Sequence, residues 1–354
     1  MIINQWVPAA HQGDAIGDSA RKVRDLMRAA GHEADLFALT IDEDLRGDVR
    51  RFDDPAARGG DVTIFHFALP SPMTEAFAGL RGRRVLQYHN ITPAAFFAAY
   101  DPGLFRLAAL GRAELRTLVG RVDLALGDSE FNRQELEELG FAPTGVLPIA
   151  VNTERITGAP RRPALERILS DGLINILFVG RIVPNKKIED HIRLGEIYKR
   201  YTDNYYRFIF VGRYDGVPRY YAQVRALVSE LQMLPDRVWF TGPVADADLA
   251  AFYRWADVYV SLSEHEGFCV PLVEAMAADV PVLAYAAGAV PETLGGAGVL
   301  FSPKDLELAA EAMAMLVYDR RFRDTVIAGQ RQRLEDFSPA RFEVRLNHLV
   351  SQFT

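Results

Sequence analysis

Residues 258 to 276 read VYVSLSEHEGFCVPLVEAM. The first four, 258–261, are β-branched and aromatic enough for a buried strand. A polar loop containing Gly267 follows. Pro271 then marks the first turn of a helix, where a missing N–H costs nothing because first-turn amides have no intrahelical partner. A strand that passes through a short loop into a helix is the repeating half of a parallel α/β sheet.

Working outward, the same alternation fills the chain. Around this stretch, 174–179, 207–211, 238–240, 282–285 and 299–301 read as strands, and 218–231, 246–255 and 271–278 as helices. Upstream, 2–6, 34–39, 62–67, 84–89, 124–127 and 145–151 read as a second series of strands. Between them lie helical runs at 18–30, with Val23, Leu26 and Met27 at helical spacing, and at 132–139, stopped by Gly140. Two series predict two doubly wound domains, which suits 354 residues. The stretch 152–172, with Gly158, Pro160 and Pro163, reads as the linker, and 339–353 as a final helix that can cross back to the first domain. Doubly wound sheets bind ligands at the carboxyl ends of their strands. Two facing domains are therefore expected to form a cleft there.

Composition narrows the class. Hydrophobic residues make up 49% and charged residues 25%, as in ordinary globular proteins. The single cysteine, Cys269, excludes an intrachain disulfide framework and multi-cysteine metal sites, and fits a reducing compartment. A net charge of −7 gives no reason to expect nucleic acid as a partner. The start lacks a cationic segment before an apolar one, so no signal peptide is expected. No apolar run is long enough to span a membrane. A cytoplasmic location is the expectation.

Two clusters carry chemistry. Residues 178–187, FVGRIVPNKK, end a strand at Gly180 and follow it with Arg181, Lys186 and Lys187. Cations at a strand's carboxyl end suit a diphosphate, which forms strong charge-assisted bonds. A solvated basic turn is the plain alternative, but two of only five lysines are adjacent here. The second cluster is the opening stretch. Glu266 sits in the loop and Glu274 in the first part of the helix, whose free amides favour an anion or a sugar oxygen. Glu274 also reads as dipole compensation and Glu266 as surface charge.

The Glu266…Glu274 spacing within EGFCVPLVEAM resembles the E-x7-E motif of retaining GT-B glycosyltransferases, notably glycosyltransferase family 4. Gly180 to Lys186 looks like that family's diphosphate-binding segment, and 238–244 like its nucleobase-side loop. Further upstream, Tyr88-His89-Asn90-Ile91-Thr92-Pro93 and Asp128-Ser129-Glu130-Phe131 resemble segments of its N-terminal domain. The resemblance implies a GT-B fold of two Rossmann-like domains, 1–155 and 156–338, the first joined by 339–354. It implies that Arg181 and Lys186, with Gly180, bind the donor diphosphate. Glu274 takes the ribose hydroxyls. Glu266, with Gly267, Phe268, Cys269 and Val270, holds the transferred sugar. Gly242, Pro243 and Val244 flank the base, and His89 contacts the sugar from the other domain. Gly13 and Asp14 stand in the glycine-rich acceptor and phosphate loop, although here the glycines are separated as Gly13 and Gly17. Cys269 stands where the family commonly has glycine.

The implied donor is a nucleotide sugar, GDP-mannose or UDP-glucose, and the acceptor a glycan or lipid-linked saccharide. No cofactor and no essential metal are expected. Asp246 reads better as a helix N-cap than as a metal ligand, and 42–44 as a solvated face. The residues of a dinucleotide fingerprint, a P-loop, a nucleophile elbow and a zinc-protease motif are all missing. A GT-B sugar-nucleotide epimerase and a non-catalytic nucleotide-sugar-binding protein remain as alternatives. Residues 81–121 hold seven arginines against Asp101 and Glu114, with several aromatics. This surface suits either an anionic membrane or an ordinary core with a solvated basic face.

Overall fold

The computed structural model describes residues 1–11, 13–233 and 236–353. The chain divides into two compact units. One holds Met1–Ala95, Pro102–Val151 and the C-terminal segment from Phe337; the other holds Phe96–Asp101 and Asn152–Asp336.

The first unit is built on a seven-stranded sheet: β1 (Ile2–Ala10), β2 (Glu33–Ile41), β3 (Arg50–Arg51), β4 (Val62–Phe67), β5 (Arg83–Tyr88), β6 (Leu124–Gly127) and β7 (Thr144–Val146). Their spatial order is β3-β2-β1-β4-β5-β6-β7, and every pair is parallel. The helices are α1 (Ala15–Ala29), α2 (Met73–Ala78), α3 (Pro102–Arg116) and α4 (Glu130–Glu138). β4, VTIFHF, is buried at every position, as a parallel strand covered on both faces must be. Val23 and Met27 of α1 pack on Ile3, Ile64, Val85 and Leu126.

The second unit begins with α5 (Glu154–Thr157) and α6 (Pro163–Leu169). Its sheet holds β8 (Ile174–Val179), β9 (Tyr206–Val211), β10 (Val238–Gly242), β11 (Val258–Ser261), β12 (Val282–Tyr285) and β13 (Val299–Phe301). The order is β10-β9-β8-β11-β12-β13, again with parallel neighbours. Around it lie α7 (Ile188–Tyr201), α8 (Pro218–Glu230), α9 (Asp246–Arg254), α10 (Val270–Ala277), α11 (Val290–Leu294), α12 (Leu306–Tyr318) and α13 (Arg320–Leu334). The last helix, α14 (Pro339–Ser351), belongs to the first unit, where Phe342, Leu346, Leu349 and Val350 join the core of α1 and the strands.

Several expectations are corrected. Residues 152–172, expected as the linker, follow the boundary between the units but carry α5 and α6 and belong to the second unit. The strand expected at 145–151 ends at Val146, because Leu147 closes the ladder on Gly127 and Pro148 has no N–H to continue it. β1 runs on past Trp6 through Pro8. Beyond Trp6 it pairs only with β2, which leaves one side open for a residue without an N–H. Asp246 does not cap α9. Ala245 is the cap, and the Asp246 carboxylate lies 3.8 Å from Arg155.

Candidate active site

Strand order in the second sheet reverses between β8 and β11, so the loops after these two strands flank the point where such sheets bind ligands. After β8, one 3-10 turn over Pro184–Lys186 ends at Lys187, whose φ of +52° turns the chain into α7. After β11, residues 262–269 lead into α10. Buried Asn185 laces the two loops together. Its carbonyl accepts from Glu264 N–H at 2.8 Å, and its side chain donates to the His265 carbonyl at 3.0 Å. This lacing sets Lys186 Nζ 2.6 Å from Glu266 Oε1, with the two side chains 19% and 8% exposed. The Glu266 carbonyl accepts from Ala289 N–H at 3.0 Å, and a Cβ on Gly288 (φ +56°) would fall 2.4 Å from that oxygen. Gly288 is thus required by close approach.

A second set of charges lies on the same side. Lys187 Nζ is 3.3 Å from Glu264 and 3.7 Å from Glu189. Lys304 Nζ is 2.7 Å from Asp190 and 3.1 Å from Glu264, and sits 5.0 Å over the Tyr285 ring. Burial pulls the Lys187 pKa down, but Glu264 and Glu189 outweigh it and leave it raised. Arg181 is exposed and has no carboxylate partner among the described residues. Lys186 is therefore held by Glu266, while Arg181 is open to an anion.

The loop from Gly267 to Val270 is fixed by its backbone. The Phe268 carbonyl accepts from the Thr293 hydroxyl at 2.5 Å. Cys269 caps α10 at φ +71°, in the left-handed region where glycine is favoured. That conformation is one a glycine adopts without strain. The thiol is buried, and burial together with Glu266 pushes its pKa well up. Glu274 is buried inside α10, with Oε2 accepting from Tyr253 OH at 2.9 Å and Oε1 3.3 Å from Arg155 Nε. Burial raises its pKa, against the opposing pull of Arg155 and Tyr253.

Gly180, Gly212 and Gly242 stand at the ends of the neighbouring strands β8, β9 and β10. A Cβ at Gly212 would lie 2.3 Å from the Gly180 carbonyl, so this edge of the sheet is bare backbone. Pro243 is exposed and Val244 half-buried beyond it.

The remaining expected residues lie in the first unit. Gly13 (φ +73°) precedes Asp14, whose carboxylate caps α1 by accepting from Gly17 N–H at 3.0 Å. His89 follows β5. Its side chain is only 2% exposed, with Nδ1 2.9 Å from Asp128 and Nε2 2.8 Å from His66 Nδ1. His66 in turn reaches Gln5 Oε1 at 2.9 Å, and its burial beside His89 holds its pKa well down. Both His89 nitrogens are thus engaged within its own unit.

Sequence reading missed Asn185, Gly288, Lys304, Arg155, Tyr253 and His66. Only Gly288, a glycine just before a proline-opened helix, left a local signal. Among the described residues, no group of three His, Cys, Asp or Glu side chains comes together to hold a metal.

The profile of glycosyl transferases group 1 matches residues 167–333, the span holding Lys186, Glu266 and Glu274. A GDP-mannose-dependent alpha-mannosyltransferase of Mycolicibacterium smegmatis is 32% identical over 75% of this chain and 67% of its own length. The chain belongs to the group 1 glycosyltransferases. A GDP-mannose-dependent alpha-(1-6)-phosphatidylinositol monomannoside mannosyltransferase of Mycobacterium tuberculosis is 27% identical over 76% of this chain and 77% of its own. Anabaena HepE, solved with UDP and glucose, superposes with a TM-score of 0.77 at 16% identity, covering 99% of this chain and 100% of its own. That likeness gives this glycosyltransferase the two-domain GT-B fold.

Proposed function

We propose that this glycosyltransferase moves a hexose, mannose from GDP-mannose before glucose from UDP-glucose, to a hydroxyl of a glycan or lipid-linked saccharide, with retained anomeric configuration as in glycosyltransferase family 4. The carrying observation is the pairing of Lys186 with Glu266 at the switch point of the second sheet. A cation for a diphosphate and a carboxylate for sugar hydroxyls stand one ion pair apart. The mannosyltransferase relatives favour GDP-mannose as donor.

Arg181, Lys186 and the amides at the start of α10 stabilise charge on the departing diphosphate, a preorganised electrostatic effect. Glu274 accepts from the ribose hydroxyls, and the bare backbone at Gly242, with Pro243 and Val244, flanks the base. A front-face route fits these groups. The departing phosphate oxygen takes the acceptor's proton, and no side chain acts as nucleophile. The burial of the Cys269 thiol supports this reading. Cations and helix amides do the work of a metal, so turnover is expected to persist in a chelator.

A panel of nucleotide sugars, followed by NMR of the product's anomeric centre, tests the reading. Release of nucleoside diphosphate with transfer and an unchanged anomer is expected. Inversion refutes retention; release of free nucleotide without an acceptor and with an epimerised sugar points to the epimerase; binding without turnover points to the non-catalytic protein.

The acceptor surface we assign to α3, acting at the inner face of the cell membrane. Phe105, Leu107 and Leu110 are 39%, 38% and 57% exposed beside Arg106 and Arg116. Not all of the basic stretch is free, since Arg84, Arg112 and Arg121 pair with Asp123, Glu135 and Glu75. No helix among the described residues is long and apolar enough to cross a membrane. Co-sedimentation with anionic vesicles at low salt, lost in Leu110→Asp, is the expected result; no binding by the unaltered protein removes this assignment.

A further inference from the structure

We propose that donor binding exchanges the Lys186–Glu266 ion pair, and that this exchange lets the site hold an intact nucleotide sugar in preference to the bare nucleoside diphosphate. The inference rests on the function proposed above. In the unliganded protein each group is the other's partner, at 2.6 Å. A diphosphate that takes Lys186 strands the Glu266 carboxylate. Its side chain is 8% exposed, and an uncompensated buried charge is costly. The incoming diphosphate adds like charge beside it.

Among the described residues, the two other lysines beside the pair are engaged. Lys187 is held by Glu264 and Glu189, and Lys304 by Asp190 and Glu264. Arg181 has no carboxylate partner, but it is the group left open to the diphosphate itself. Nor does the loop move aside easily, because the lacing by Asn185 and the contact with Gly288 fix the Glu266 backbone.

An intact donor resolves the conflict. Its diphosphate takes Lys186 while its sugar hydroxyls donate to Glu266, so both groups end with partners. After transfer the hydroxyls leave with the acceptor. Glu266 then reclaims Lys186, which loosens the spent nucleotide. The pair thus couples recognition of the two halves of the donor and favours product release.

Isothermal titration without acceptor tests this, with GDP against GDP-mannose and UDP against UDP-glucose. The unaltered protein is expected to bind its donor at least about tenfold more tightly than the matching diphosphate. Glu266→Gln, which frees Lys186 and removes the stranded charge, is expected to bind the diphosphate about tenfold more tightly than the unaltered protein does, erasing that preference. Lys186→Gln is expected to weaken both ligands. Thermal unfolding checks that each variant is folded, and Glu266→Ala replaces Glu266→Gln should the latter not fold, with the same expectation. Unchanged or weaker diphosphate binding in the Glu266 variant overturns the exchange. Failure of the unaltered protein to bind any of the four ligands instead overturns the proposed function.

Discussion

Cys269 and Gly288 show how the site depends on single backbone conformations. At φ +71° a β-branched residue is a severe outlier, so Cys269→Val is expected to cost about 2 kcal/mol in denaturant unfolding. In Cys269→Gly, relief of left-handed strain of about 1 kcal/mol is offset by the entropy of a freer chain and the lost thiol contacts. That variant is expected to be near neutral, and equal losses in the two would contradict the strain argument. Gly288→Ala forces a methyl group against the Glu266 carbonyl, so kcat/KM for the donor is expected to fall at least about tenfold. Unaltered kinetics would show that Glu266 does not depend on this contact. Lys186, Glu266 and Glu274 could be singled out in the sequence by residue type and by a motif resemblance, and the structure pairs the first two. Asn185, Gly288 and Lys304 were not, since each acts across a long stretch of chain by packing that no local pattern records. His89 was legible as a strand-end histidine, but its burial against Asp128 and His66 was not.

Strands 62–67, 124–127, 174–179 and 258–261 were readable from their apolar runs because parallel strands are covered on both faces. Two-residue β3 and the short helices α5 and α6 were not, being too brief for a period to emerge. Among the helices, α7 has a link to the site that shows at the scale of the element. His191 is fully buried and joins α7 to β11. Its Nε2 lies 3.3 Å from both the Leu262 nitrogen and the Val260 carbonyl oxygen, and its Nδ1 lies 2.9 Å from the Lys187 carbonyl oxygen. The two carbonyls favour the doubly protonated ring, but the loss of water around a charged ring buried here outweighs them. Burial pulls its pKa from 6.5 down to about 4. The folded value is the lower one, so the unfolded chain takes the proton first. This contribution to stability is present above pH 6.5 and is lost as pH falls toward 4. The loss amounts to up to about 3 kcal/mol. Urea unfolding between these pH values is expected to show the decline, and His191→Gln to flatten it. An equal slope in the variant would place the acid sensitivity elsewhere.

At the scale of the whole molecule, the chain is two doubly wound units, and the sequence revealed both because the strand–helix alternation starts twice. The membership of α14 was harder to read, since a helix at the end of the chain carries no topological label. Its Leu346 is 1% exposed in the core of the first unit, so Leu346→Ala is expected to destabilise that unit by about 3 kcal/mol. Donor binding, which we assign to residues of the second unit, is expected to persist in the folded variant; loss of donor affinity in step with stability would contradict that division of labour. Lys186 and Glu266 are assigned together to a sugar-transfer reaction. The most direct measurement is nucleoside diphosphate release from GDP-mannose by the unaltered protein, Lys186→Ala and Glu266→Ala, with thermal unfolding recorded for each. Turnover is expected in the first, and a fall of about 100-fold or more in both variants while they remain folded. Near-normal turnover in either variant would contradict that assignment.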